Sequence, residues 1–159
     1  RSSVGLWKQL SNTWSGQFTG RAFGRDTKER DRNSSGYGAT VELKNQLSET
    51  VWMKGIVDYE DSRANLATFS NYGPTYGLQM GYLPYKDTFI NLGLSHATRD
   101  FKSVTTFNSK SQTVFVEGTQ RLTKNWYLNL GYAWQDNNSN IAGTGYTNQT
   151  LSVGLNFSY

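Results

Sequence analysis

Period-two alternation of apolar and polar residues, a repeat of about 37 residues and the confinement of charge in the strand middles to one parity predict an all-β chain. The fold class they specify is a transmembrane antiparallel up-and-down β-barrel with eight strands visible, either complete or part of a wider barrel. The alternation is plainest towards the end of the chain. Trp126, Leu128, Leu130, Tyr132 and Trp134 interleave with Tyr127, Asn129, Gly131, Ala133 and Gln135. Leu151, Val153, Leu155, Phe157 and Tyr159 interleave with Thr150, Ser152, Gly154, Asn156 and Ser158. Side chains two apart share a face of a strand, so each segment has one greasy side and one wet side.

Composition is compatible with that reading. The 159 residues make one domain, 1–159. No apolar run approaches the length of a membrane-crossing helix, but a barrel wall needs apolar residues only at alternate positions. Pro74 and Pro84, the two prolines, fall at predicted strand ends and leave the strands uninterrupted. The absence of cysteine excludes a disulfide framework and a thiolate metal site. A net charge of +4 is too small to point to nucleic acid, and no cofactor is implied. Arg1 stands where an initiator Met would and no export signal is visible, so an earlier segment is expected to have been removed by export processing or truncation.

Taken in order, residues 1–13 are expected to form an N-terminal cap or a partial strand plus turn, because Trp7-Lys8-Gln9-Leu10 echoes the ends of later strands. Strands follow at 14–25, with Phe18, Gly20 and Ala22 on the apolar parity, and at 36–46, with Tyr37, Ala39, Val41 and Leu43. The next two are 51–62, carrying Val51, Met53, Val57 and Tyr59, and 75–83, carrying Tyr76, Leu78, Met80 and Tyr82. Then come 88–99 with Ile90, Leu92 and Leu94, 112–122 with Val114 and Val116, and the pair 126–137 and 146–159. Short polar turns open at Leu10, Leu47, Leu83 and Leu122 and are each followed by a ring, at Trp14, Trp52, Phe89 and Trp126. That recurrence defines one repeating unit of two strands, a long connection and a short turn. The long polar connections, 26–35, 63–74, 100–111 and 138–145, therefore all lie on the side opposite the turns.

The other parity collects Arg21, Glu42, Lys44, Lys54, Asp58, Glu60, Glu117 and Arg121. A charge facing hydrocarbon at mid-depth costs on the order of 2–4 kcal/mol, so these residues are expected to face a lumen as a charge network. In a narrow barrel they would pair into a plug; in a wider one they would line a watery passage. Trp14 and Trp126 fall outward at the turn end and, with Tyr159, are expected at a membrane interface. Trp52 and Phe89 fall inward.

The terminal segment Leu151 to Tyr159, an alternating strand closed by a ring, is similar to the insertion signal of Gram-negative outer-membrane β-barrel proteins, and the resemblance spans almost the whole chain. Phe is the commoner last residue of that signal, and Tyr159 departs from it. Asn137-Asn138-Ser139-Asn140-Ile141, followed by Tyr146 and the last strand, resembles the ends of larger barrels from exopolysaccharide-secretion and surface-lipoprotein-export systems. The resemblance implies an integral outer-membrane location, contact with outer-membrane lipid and lipopolysaccharide, and recognition of the C-terminal strand by the barrel-assembly machinery. It also leaves room for other subunits or a missing N-terminal portion.

The expected function is all or part of a pore or export channel. The competing expectation is a closed small eight-stranded barrel with a structural or surface-adhesion role. Arg25, Lys28, Arg30 and Arg32 in the first long connection are expected either as a solvated tip or as contacts to lipopolysaccharide phosphates, which Arg forks match. His96 has Ser95 beside it and Thr98 two positions on, as some lipid-modifying barrels would require. No acidic residue is expected on its face and the surrounding pattern is missing, so no enzyme is predicted.

Overall fold

The computed structural model describes residues 2–26, 28, 32–102, 107–141 and 143–157. Its strands are β1 (Ser2–Gln9), β2 (Trp14–Arg25), β3 (Ser34–Gln46), β4 (Val51–Ala64), β5 (Asn71–Tyr85), β6 (Thr88–Phe101), β7 (Asn108–Arg121), β8 (Trp126–Ser139) and β9 (Tyr146–Phe157). They form one sheet in which every neighbour is antiparallel and spatial order equals chain order. The expectation of eight strands is corrected to nine. Residues 2–9 are a full partner of β2, with Val4 opposite Gly20 and Leu6 opposite Phe18. Two apolar positions are too few to announce a strand from sequence; the ladder offered by β2 supplies the rest. The sheet is not closed, and β1 and β9 are its two edges.

Several strands run further towards the long connections than the apolar pattern reaches. β3 begins at Ser34, β5 at Asn71 and β7 at Asn108, while β8 extends to Ser139. Ladder hydrogen bonds use backbone groups alone, so pairing continues after the apolar signal has ended. The connections shorten accordingly. They also tie to one another: the backbone N–H of Lys102 donates to Ser70 O at 3.0 Å and Ser70 Oγ accepts from Ala64 N at 2.9 Å.

Three of the short turns share one mechanism. Ser11, Ser48 and Thr123 each accept, on the side-chain oxygen, the N–H of the residue three positions on, at 3.1–3.2 Å. In each, the preceding Leu donates its own N–H back across the turn, as Leu10 does to Trp14 O at 2.9 Å. A hydroxyl after Leu is therefore what the repeat preserves. The fourth turn has Pro84 there instead, and the chain closes differently, with Tyr85 opposite Thr88 and a register shift between Tyr82 and Tyr85.

Pro74, expected at a strand end, lies inside β5. Gly73 and Pro74 interrupt the pairing with β6, which resumes in the same register from Tyr72 opposite Asp100 to Thr75 opposite Ala97. Proline has no N–H to give, and the freed carbonyls need a donor. Arg99 supplies it: Nη1 donates to Gly73 O at 3.1 Å and Pro74 O at 3.0 Å, and Nη2 to Thr75 Oγ1 at 3.0 Å.

Register separates the two faces as parity predicts. One row runs Phe18, Val41, Val57, Tyr76, and the next strands add Leu94, Val114 and Leu130 to the same face. Among the described residues nothing packs on the apolar face. Among the described residues Phe23 alone is a buried large apolar side chain, while Leu130 and Leu155 are 50% and 58% exposed. A compact soluble chain of this mass would expose about 8,000 Å². This one exposes 10828 Å².

Candidate functional site, the polar face of the sheet

The opposite face is built from hydroxyls, amides, charges and a few large side chains. Its centre is Arg21 on β2. The residue opposite Arg21 on β3 is Gly38, and opposite Gly38 on β4 is Glu60. With no side chain on Gly38, the Arg21 guanidinium crosses β3 and reaches β4. A Cβ at position 38 would stand 2.8 Å from Arg21 Cζ. Both Nη atoms bond the two carboxylate oxygens of Asp58, and Nη2 also reaches Glu60 Oε2 at 3.0 Å. Thr40 accepts from Arg21 Nη1 at 2.9 Å and donates to Asp58 at 2.6 Å. The Arg21 and Asp58 side chains are 14% and 18% exposed, so the paired fork is largely shielded from water.

The same arrangement recurs along the sheet. Phe23 lies over Gly36, Trp52 over Gly81 and Phe115 over Gly93, each glycine being the direct cross-strand partner of the large residue. Large residues thus lie along the backbone of the neighbouring strand instead of standing out from the sheet. Trp52 continues to Phe89, ring centres 6.4 Å apart and nearly parallel, so these two rings are inward as parity assigned them.

The remaining expected charges do not join Arg21. Lys54 pairs with Glu42 at 3.3 Å and Lys44 Nζ stands 4.9 Å from the centre of the Trp52 ring. Arg121 is at the turn end, 3.7 Å from Asp87, and donates to the carbonyls of Thr123 and Lys124. Glu117 is exposed; its partner is Asn91 at 3.4 Å, and among the described residues no cation pairs with it. The expected single network is therefore three local groups and one solitary carboxylate. Arg99 is the functional residue that sequence reasoning missed. It shared the inward parity of Asn91 and Phe89, but apart from Thr75 its partners are carbonyls, which leave no mark in a sequence.

The other expected sites separate as well. Trp14 and Trp126 lie at the turn end of the apolar face, Trp126 against Phe157 with centres 5.1 Å apart. Tyr159 and Arg30 lie outside the described residues. Arg25 is 5.8 Å over the Phe23 ring, Arg32 is 4.9 Å over Phe69 in the Ala67–Phe69 turn, and Lys28 is exposed. Arg32 thus links two long connections. His96 is on the apolar face between Tyr76 and Gln112, and the expectation of no acid there is corrected: Asp136 is opposite Gln112, two strands from His96. Asp136 is engaged by Thr147 at 2.9 Å and Asn138 at 2.6 Å, so it does not orient the imidazole.

No protein-family model matches the chain, and no curated protein matches it significantly.

Proposed function

We propose that this chain is a section of an integral outer-membrane β-barrel wall, with the apolar face against lipid and the polar face lining a passage or export channel. The observation that carries the reading is the unbroken, exposed apolar face across all nine strands. Soluble monomers rarely leave so extended a patch uncovered. The face also has the right height. From Trp126 to Trp134 on β8 the apolar parity covers about 27 Å of strand, which at a tilt of about 40° is a band about 21 Å tall, close to the hydrocarbon zone of outer-membrane barrels. On this face Lys8 bounds the band on the turn side, and Asp61, Asp100, Lys110 and Asp136 bound it on the other.

Strand direction bears on whether the wall is whole. With nine antiparallel strands, β1 and β9 run the same way, so an antiparallel seam between them would need an odd number of further strands. Exposed edge backbone is costly in hydrocarbon. Both points favour a share of a wider wall over a small closed barrel.

The test is lipid contact, residue by residue. Variants retaining one tryptophan, the others changed to Phe, would be folded into vesicles whose acyl chains carry bromine. Trp134, on the apolar face, should lose most of its emission and Trp52 little. Equal quenching of the two, or none, overturns the reading. Stepwise currents from reconstituted protein in planar bilayers would then support the passage, and their absence from inserted protein would favour a structural or adhesive role.

A further inference from the structure

Lys44 and Lys54 stand directly opposite each other on β3 and β4. Like charges in that position repel across the pair. Among the described residues Glu42 bonds Lys54 at 3.3 Å, whereas Lys44 has no carboxylate partner and rests near the Trp52 ring. Glu117 does not compensate, since β7 is three strands from β4, about 14 Å away. Lys44 and Lys54 line a hollow of about 240 Å³ together with Glu42, Trp7, Ser15 and Gln17, so the lining carries one positive charge in excess. It adjoins a second hollow of about 370 Å³ that shares Trp7, Ser15 and Lys44 and reaches Asn12 and Thr13 at the turn rim.

An excess cation facing a like charge, beside the exposed Trp7 ring and hydrogen-bonding groups, fits a site completed by an anion. We propose that this hollow is an anion-binding subsite, taking an oxyanion, carboxylate or phosphate, between Lys44 and Lys54 with the body of the solute against Trp7. It rests on the reading of the polar face as the lining of a passage, and the subsite would be met at the short-turn end. The oxyanion relieves the repulsion between the two lysines, and the ring face of Trp7 covers an apolar part of the solute.

The full chain, folded in detergent micelles, would be titrated calorimetrically with benzoate, inorganic phosphate and neutral benzamide. Saturable binding of benzoate or phosphate, with benzamide much weaker, is expected. Lys44→Gln should weaken it about tenfold or more, the loss of one charge-assisted bond. Lys110→Gln, an equal change of net charge on the opposite face, should leave it unchanged. Tighter benzoate assigns a carboxylate on a ring-bearing solute; tighter phosphate assigns a phosphorylated one. Failure of both anions to saturate a sample with intact β-sheet circular dichroism, or unchanged affinity in Lys44→Gln, overturns the proposal. The bromine quenching above is read separately, so inserted protein that binds no anion removes the subsite alone.

Discussion

Arg21 and Arg99 use the same planar fork for two unlike tasks. Arg21 joins side chains of three strands, and Arg99 closes the gap that Pro74 leaves in the backbone ladder. The first depends on an absence, the missing side chain at Gly38. A methyl there would press on Arg21 and on the carbonyl of Tyr59, 2.7 Å from its ideal position. Gly38→Ala should therefore destabilise the folded chain by about 1–3 kcal/mol, the usual cost of overpacking. Gly20→Ala, on the apolar face where a Cβ would meet nothing within 4 Å, should be nearly neutral. Urea midpoints of the two variants in micelles check the contrast. Parity alone had shown that Arg21, Asp58 and Glu60 share a face. That a large residue sits opposite each of four glycines was hidden, because it is a property of register, and register emerges only when two strands are laid side by side.

Strands β5 and β6 explain why the charges divide. At the level of Lys54 and Glu117 their polar-face residues are Gly77, Gln79, Gly81, Asn91, Gly93 and Ser95, none of them charged. A gap two strands wide with no charge at that level keeps Glu117 apart from the basic residues of β3 and β4. Glu117→Ala should change stability by less than about 0.5 kcal/mol, as at other exposed positions. Asp58→Ala should cost about 2 kcal/mol or more, because it strands a shielded guanidinium. Thermal melts of both would show it; equal effects would mean that the network is continuous after all. Elements were the most legible part of the sequence: eight strands announced themselves through alternation, and the short turns through a Leu before them and a ring after. β1 was open to two readings, a cap or a partial strand, because Val4 and Leu6 are a short signal and its main support is β2. The strand ends towards the long connections were obscured for a different reason, since ladder bonds carry no apolar signature.

For the whole molecule the decisive quantity is surface without a partner. The apolar face, the edges β1 and β9, and an accessible area about a third above that of a compact chain of this mass all describe a sheet meant to be covered. Leu130→Arg, in the middle of the apolar face, should destabilise the protein folded into vesicles by about 2–4 kcal/mol, whereas Glu117→Arg on the polar face should leave it nearly unchanged. Titration of folding yield against urea in phosphatidylcholine vesicles measures both, and a penalty of similar size for each would deny that the faces have different solvents. The glycines beneath Arg21, Phe23, Trp52 and Phe115 matter at this scale too. Bulky groups laid flat give the polar face low relief, and if that face lines the proposed passage, a molecule travelling along it would slide past recumbent planes with few protruding arms to catch it.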